Sequence, residues 1–146
     1  MYPQIIKYGS SEYEEMLALR TKILREPLGL TFSQEDLEKD RDDFLLVIRS
    51  SDNQNTVACC ILTPVDKKTV KLRQMAVDDT VQKSGLGTAM LAFAEYVATK
   101  EKFEKITLHA RKTAMGFYEK YDYKTVGDEF SEVSIPHYEM EKLLIQ

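Results

Sequence analysis

Gln82, Gly85 and Gly87 stand in the stretch Val81-Gln82-Lys83-Ser84-Gly85-Leu86-Gly87, which leaves an apolar segment and runs straight into a helical pattern. Paired glycines at a helix start let the backbone approach a ligand closely. The first-turn amides of such a helix have no partner inside it. Together with the helix dipole they favour an anion, most often a phosphate. The plainer alternative is a tight loop whose glycines only turn the chain, and a short glycine pattern does not choose between the two. Two familiar phosphate loops are excluded. A P-loop needs Gly-Lys-Ser/Thr, whereas Gly87 is followed by Thr88. A dinucleotide fingerprint places glycine or alanine three residues after its second glycine, where this chain has Met90, and it belongs to an early strand–turn–helix unit.

Other reactive residue types are sparse. Cys59 and Cys60 are adjacent, so on a strand they point to opposite faces and an ordinary bridge between them is geometrically poor. Structural packing is their expected role. No CxxC spacing occurs, and the two histidines, His109 and His137, lie far from the cysteines, so no metal site is expected.

The elements that must position the glycine loop can be read from periodicity and turn chemistry. Gln4 to Tyr8 is a short first strand ending at Gly9. Ser10 and Ser11 can cap the next helix, and Glu14 lies three residues after Ser11, as in a capping box. Met16, Leu19, Ile23 and Leu24 recur at helical spacing until Pro27 and Gly29 stop the helix. A second short helix fits Ser33 to Asp40, with Ser33 as cap and Glu35 and Asp36 in the first turn. Phe44 to Ile48, Thr56 to Leu62 and Thr69 to Val77 form an antiparallel meander, its first turn at Asp52-Asn53-Gln54-Asn55. After the glycine loop a helix carries Leu86, Met90, Phe93, Ala94 and Val97 on one face. Ile106 to His109 is a strand, Thr113 to Tyr121 a helix, and Tyr123 to Val126 and Tyr138 to Leu144 are strands. The result is one α+β domain over residues 1–146, a mixed and mostly antiparallel sheet. Within it, Thr69 to Ala110 is expected to form a right-handed parallel strand–helix–strand unit.

Composition agrees with that plan. The chain has 146 residues, 43% of them hydrophobic and 30% charged, and a formal net charge of −4. This suits one domain that folds without metal or disulfide. Apolar runs fall far short of the ~18 residues that span a bilayer. The start Met1-Tyr2-Pro3-Gln4 shows no secretory pattern. An acidic chain without a basic stripe is a poor partner for nucleic acid. A soluble cytoplasmic domain is the expectation.

Three motifs, in order, carry a resemblance. Leu72-Arg73-Gln74-Met75-Ala76-Val77 followed by Gln82-Lys83-Ser84-Gly85-Leu86-Gly87 resembles the pyrophosphate signature Gln/Arg-x-x-Gly-x-Gly/Ala of the GNAT superfamily of acyl-CoA-dependent N-acetyltransferases. Ala114-Met115-Gly116-Phe117-Tyr118-Glu119-Lys120-Tyr121-Asp122-Tyr123 is similar to the later family pattern Ala-x-x-Phe-Tyr-x-x-x-Gly-Phe/Tyr, with Asp122 where glycine is usual. Asp tolerates positive φ better than most residues, so the turn is expected to survive. Ser131 to Met140, with Ile135-Pro136-His137, is similar to the closing strands of small members of the family.

The resemblance implies a GNAT fold with helices on both faces of the sheet. It also implies acetyl-CoA as cosubstrate, a primary amine on a small molecule or peptide as acceptor, and no metal. Met75, Ala76 and Val77 would line the pantetheine arm in a gap between splayed strands. The backbone of Gln82, Lys83, Ser84, Gly85, Leu86, Gly87 and Thr88 would hold the pyrophosphate, with Ala114 and Phe117 completing the cofactor site. Tyr118 would protonate the leaving thiolate, the alternative being an aromatic packing residue. An alkylamine has a pKa near about 10.4, so the acceptor needs a base. Glu132 and His137 border the acceptor side in the family, and an imidazole titrates in the useful range. Arg20 and Arg25 would face the acceptor; His109 gains no role from the motifs. Gly116, costly within a helix, would be explained by close approach of the cofactor arm or by close helix–sheet packing. The acidic balance points mildly to a cationic acceptor. Dimerisation is common in the family, and nothing in the sequence specifies it. The rival reading is a non-catalytic acyl-CoA sensor that kept the cofactor loop.

Overall fold

The computed structural model describes residues 1–52, 54–80 and 85–144. Seven strands make one sheet: β1 (Tyr2–Ile6), β2 (Phe44–Arg49), β3 (Thr56–Pro64), β4 (Thr69–Val77), β5 (Lys105–Arg111), β6 (Lys124–Glu132) and β7 (Ile135–Leu143). The helices are α1 (Ser11–Arg20), α2 (Gln34–Glu38), α3 (Leu86–Lys100) and α4 (Met115–Glu119). The strand order is β1-β2-β3-β4-β5-β7-β6, and only the β4–β5 pair is parallel. This is the α+β mixed sheet expected from the sequence.

Alternation of side chains along β2 and β3 feeds two cores. Leu46, Ile48, Ala58, Cys60 and Leu62 pack with Met90, Leu91 and Ala94 of α3. Leu45, Val47, Cys59 and Ile61 pack with Tyr13, Met16 and Leu19 of α1. Helices therefore cover both faces, and the central strands read as continuous apolar runs because both of their sides are buried. Cys59 and Cys60 are free and lie on opposite faces. Burial pushes the Cys59 thiol up to about 12 and the Cys60 thiol well above its ordinary value, which fits packing and not nucleophilic chemistry.

Local chemistry explains where the boundaries moved. Ser10, not Ser11, caps α1, its hydroxyl accepting from the Tyr13 amide at 3.1 Å. Residues 7–9 are then needed for a turn with Gly9 at φ 78°, so β1 ends at Ile6 and starts at Tyr2. Ser33 caps α2 through a full capping box with Asp36. After α1 the chain widens into a π-helical turn at Thr21–Arg25 and closes on Gly29 at φ 69°. β6 and β7 run longer than expected and join through Val133 and Ser134, both with positive φ. The helix expected from Thr113 shortens to a 3-10 turn, Lys112–Ala114, and α4. Asp122 adopts φ 73°, as its side chain allows.

One buried ionic network fixes α1 to the sheet. Asp40, fully buried, accepts from Arg20 at 2.8 Å, from the Tyr13 hydroxyl at 2.8 Å and from Arg73 at 2.6 Å. Arg73 also reaches Asp43 at 3.0 Å and Thr63 at 2.8 Å. Among the described residues no helix is long and apolar enough to cross a membrane.

Candidate active site

The parallel pairing of β4 and β5 is brief, running only from Thr69 opposite Lys105 to Leu72 opposite Leu108. Beyond it β5 stays with β7, as far as Arg111 opposite His137. β4 stays with β3 but bulges: the register passes from Arg73 opposite Ile61 to Ala76 opposite Cys59. Gln74, at φ 58°, carries the bulge. The two strands therefore part, and a cleft of about 770 Å³ opens between them.

α3 starts at one end of this cleft. Gly85 precedes its first turn at φ 79°, a conformation that glycine adopts without strain. Among the described residues no side chain caps the helix, and the amides of Leu86, Gly87 and Thr88 have no intrahelical partners. A Cβ on Gly87 would lie 3.5 Å from the Phe117 ring, so helix and ring meet there at close quarters. Thr88 is fixed by a 2.8 Å hydrogen bond between its hydroxyl and that of Tyr121.

Of the residues expected from the sequence, Met75, Ala76, Val77, Gly85, Gly87, Thr88, Ala114, Phe117, Tyr118, Glu132 and His137 all line the cleft. Leu86 does not: its side chain is buried in the core beneath α3. Gln82, Lys83 and Ser84 lie outside the described residues. Arg25 lines the cleft, whereas Arg20 is buried against Asp40. Gly116 is exposed with nothing within 4 Å of a built Cβ, which removes close helix–sheet packing as its reason.

Tyr118 is 8% exposed, its ring edge-on to Phe117 and Tyr123. Burial, with a smaller contribution from Cys60, pushes its phenol up to about 12. At neutral pH it is a fully protonated donor.

The opposite wall holds a cluster that the motifs only half revealed. Glu132 Oε1 accepts from His109 Nδ1 at 2.9 Å, and Glu132 Oε2 lies 3.7 Å from His137 Nε2. His137 donates from Nδ1 to the Ile135 carbonyl at 2.8 Å. Because Nδ1 of His109 donates to the carboxylate, its Nε2 carries the lone pair in the neutral ring. Lys71 Nζ, 3.4 Å from that same Nδ1, is therefore a neighbour and not a donor to it. His109, given no role by the motifs, lines the cleft. Period-2 alternation was the available signal: Ile106, Leu108 and Ala110 are buried in the core, which turns His109 and Arg111 to the other face.

Local charge runs against the chain as a whole. Arg25, Lys71, Arg73 and Arg111 line the cleft, and Glu132 is the one carboxylate among the described lining residues. Among the described residues no group of three acidic, histidine or cysteine side chains could hold a metal ion.

Residues 31–144 match the family model described as an acetyltransferase (GNAT) domain. A Xenopus tropicalis protein described as probable N-acetyltransferase 14 is 35% identical over 80 residues, 52% of this chain and 39% of that one. The chain spans about half, or less, of the length of the first curated relatives it matches. An acyl-CoA N-acyltransferase of Pseudomonas aeruginosa superposes with a TM-score of 0.83 at 19% identity, covering 96% of this chain and 97% of that one. A GNAT family acetyltransferase of Elizabethkingia anophelis with acetyl-CoA bound gives 0.73 at 17% identity, covering 97% of each chain. At these identities the likeness is one of fold.

Proposed function

The chain belongs to the acetyltransferase (GNAT) family, and from that premise we propose that residues 1–146 form one domain that transfers acetyl from acetyl-CoA to a primary amine by direct attack. The observation that carries this reading is the cleft, where parted parallel strands, a helix opening on a left-handed glycine and a buried phenol line one volume.

The residues fit the coenzyme. The first turn of α3 would offer its amides to a diphosphate, with Gly85 and Gly87 keeping side chains out of the way. The bulge interrupts the β3–β4 register at Gln74 and Met75, and strand backbone beside Met75, Ala76 and Val77 would meet an amide-bearing arm. Ala114 and Phe117 would close the other side, and Gln82, Lys83 and Ser84 would complete the loop. Acetyl-CoA would supply an activated thioester.

Tyr118 would present its proton to the departing sulfur. Complete transfer from a phenol at about 12 to a thiolate of ordinary pKa near 8.5 would run uphill by roughly 5 kcal/mol. Hydrogen-bond stabilisation of the developing thiolate is therefore the better description of its role. On the other wall, His109 would take the amine proton at Nε2 while Glu132 orients the ring through Nδ1. His137, held by the Ile135 carbonyl, would border the acceptor.

Tyr118→Phe tests the reading. Acetyl-CoA should still bind, while kcat falls by about 10²–10³-fold. Unchanged turnover would remove Tyr118 from the chemistry. A wild-type protein that binds acetyl-CoA but releases no thiol with any amine would be the sensor instead.

A further inference from the structure

Four cationic side chains face the cleft, whereas the function proposed above puts the diphosphate at the start of α3. Strand alternation puts Lys71 and Arg73 of β4, and His109 and Arg111 of β5, on the face opposite Val70, Leu72, Leu108 and Ala110. That is the face covered by α1 and the turn carrying Arg25, where Glu132 and His109 stand. These cations thus stand on the α1 side of the sheet, away from the core face on which α3 packs.

Their pairing differs. Arg73 is satisfied by Asp40 and Asp43. Arg25 and Arg111 make no ion pair with any described residue, and the one hydrogen bond recorded for the Arg25 guanidinium goes to the neighbouring Leu24 carbonyl at 3.2 Å. Arg25 stacks on Phe32 at 4.3 Å, with Arg20 on the same ring at 4.6 Å, so two cations are held together. Burial first, then Arg20, pulls the Arg25 guanidinium below its ordinary value; Arg111 adds to this, and Asp36 and Glu132 oppose it. A smaller recess of about 120 Å³ shares Arg25, Arg73 and Gln74 with the cleft. Asp36 lines it too, Arg20 in its wall is 1% exposed, and Arg20 Nε and Gln74 Oε1 are both buried without a hydrogen-bond partner among the described residues. Arg25 and Arg111, two guanidinium groups without an ion pair among the described residues, line one cleft and suit an anion there.

We propose that the acceptor carries a carboxylate besides its amine, and that Arg25 and Arg111 are the specificity-determining residues that hold it. The proposal rests on the acetyl-transfer reading and narrows its substrate to small amino acids and similar molecules bearing both groups. A guanidinium fork grips a carboxylate through two parallel hydrogen bonds. With the carboxylate there, the amine of the same molecule is left to face Glu132 and His109.

The test is a matched set of amines assayed for thiol release from acetyl-CoA: L-phenylalanine against phenylalaninamide, and 4-aminobutyrate against butylamine. The carboxylated member of each pair should have at least about tenfold higher kcat/KM, the difference lying in KM. In Arg25→Gln and Arg111→Gln that preference should fall towards one. Calorimetry of N-acetylphenylalanine and its amide, with CoA present, reads the same preference without turnover. Equal or better use, or binding, of the uncharged or cationic members overturns the carboxylate site. Acetyl-CoA titrated into the same samples reports on the transferase reading separately. If acetyl-CoA fails to bind, that reading falls, whichever way the carboxylate comparison runs.

Discussion

His109 and Glu132 are 23 residues apart in sequence and meet through one hydrogen bond, Nδ1 to Oε1 at 2.9 Å. The contact exists because β7 lies between β5 and β6, pairing with both and carrying Glu132 at the end of its hairpin back over His109. It orients the ring of a histidine that lines the cleft, leaving Nε2 to carry the lone pair of the neutral imidazole.

The role of that pair has a pH signature. If the base serves to deprotonate the acceptor, His109→Asn or Glu132→Gln should lower kcat/KM at pH 7 by about 10²-fold. Much of the loss should return as pH rises, because an alkylamine near pKa about 10.4 gains roughly tenfold in free base for each pH step below it. Rate measurements from pH 7 to 9.5 decide the matter. Variants that stay equally impaired across that range would make the pair structural.

The fold of this cleft depends on Asp40. Removing its carboxylate in Asp40→Ala would strand the fully buried Arg20 without its counter-ion, at a cost of about 3–5 kcal/mol. Denaturant unfolding should show the midpoint drop, with Asp43→Ala costing less because Arg73 keeps Asp40. Equal losses would mean that Asp40 holds no special place in the network.

Burial also sets an alkaline limit. Tyr118 is pushed up to about 12. Tyr13 and Tyr123 are raised further, by burial first and then by their hydrogen bonds or charge interaction with Asp40 and Glu95. A phenol raised in the folded state favours folding fully below its unfolded value near about 10, and that contribution is lost as pH climbs towards the folded value. Ultraviolet titration should therefore show Tyr13, Tyr118 and Tyr123 ionising only in step with loss of near-ultraviolet circular dichroism. Ionisation of these three phenols in a protein that keeps that signal would contradict this.

The elements legible in the sequence were those written in local chemistry. β4 runs from Thr69 to Val77 as its turn residues predict, Cys59 and Cys60 divide between two faces, and Asp122 takes the left-handed turn. The β6–β7 hairpin escaped because its turn is Val133-Ser134, both at positive φ, instead of the Asn-Gly type that announces such a turn. The bulge at Gln74 left no pattern either, since its φ of 58° is imposed by register with β3. Convergence of His109 with Glu132, and the placing of Arg25 and Arg111 on one cleft, are products of strand order. A one-dimensional reading found Glu132, His137 and Arg25 only through family likeness.

The seat of the coenzyme is tested most directly by following backbone amide resonances during titration with CoA and, separately, with pantetheine. The amides of Leu86, Gly87 and Thr88 should move with CoA and stay in place with pantetheine, which lacks the diphosphate. If CoA binds while those three signals remain still, the diphosphate is held elsewhere and the account of this site is wrong.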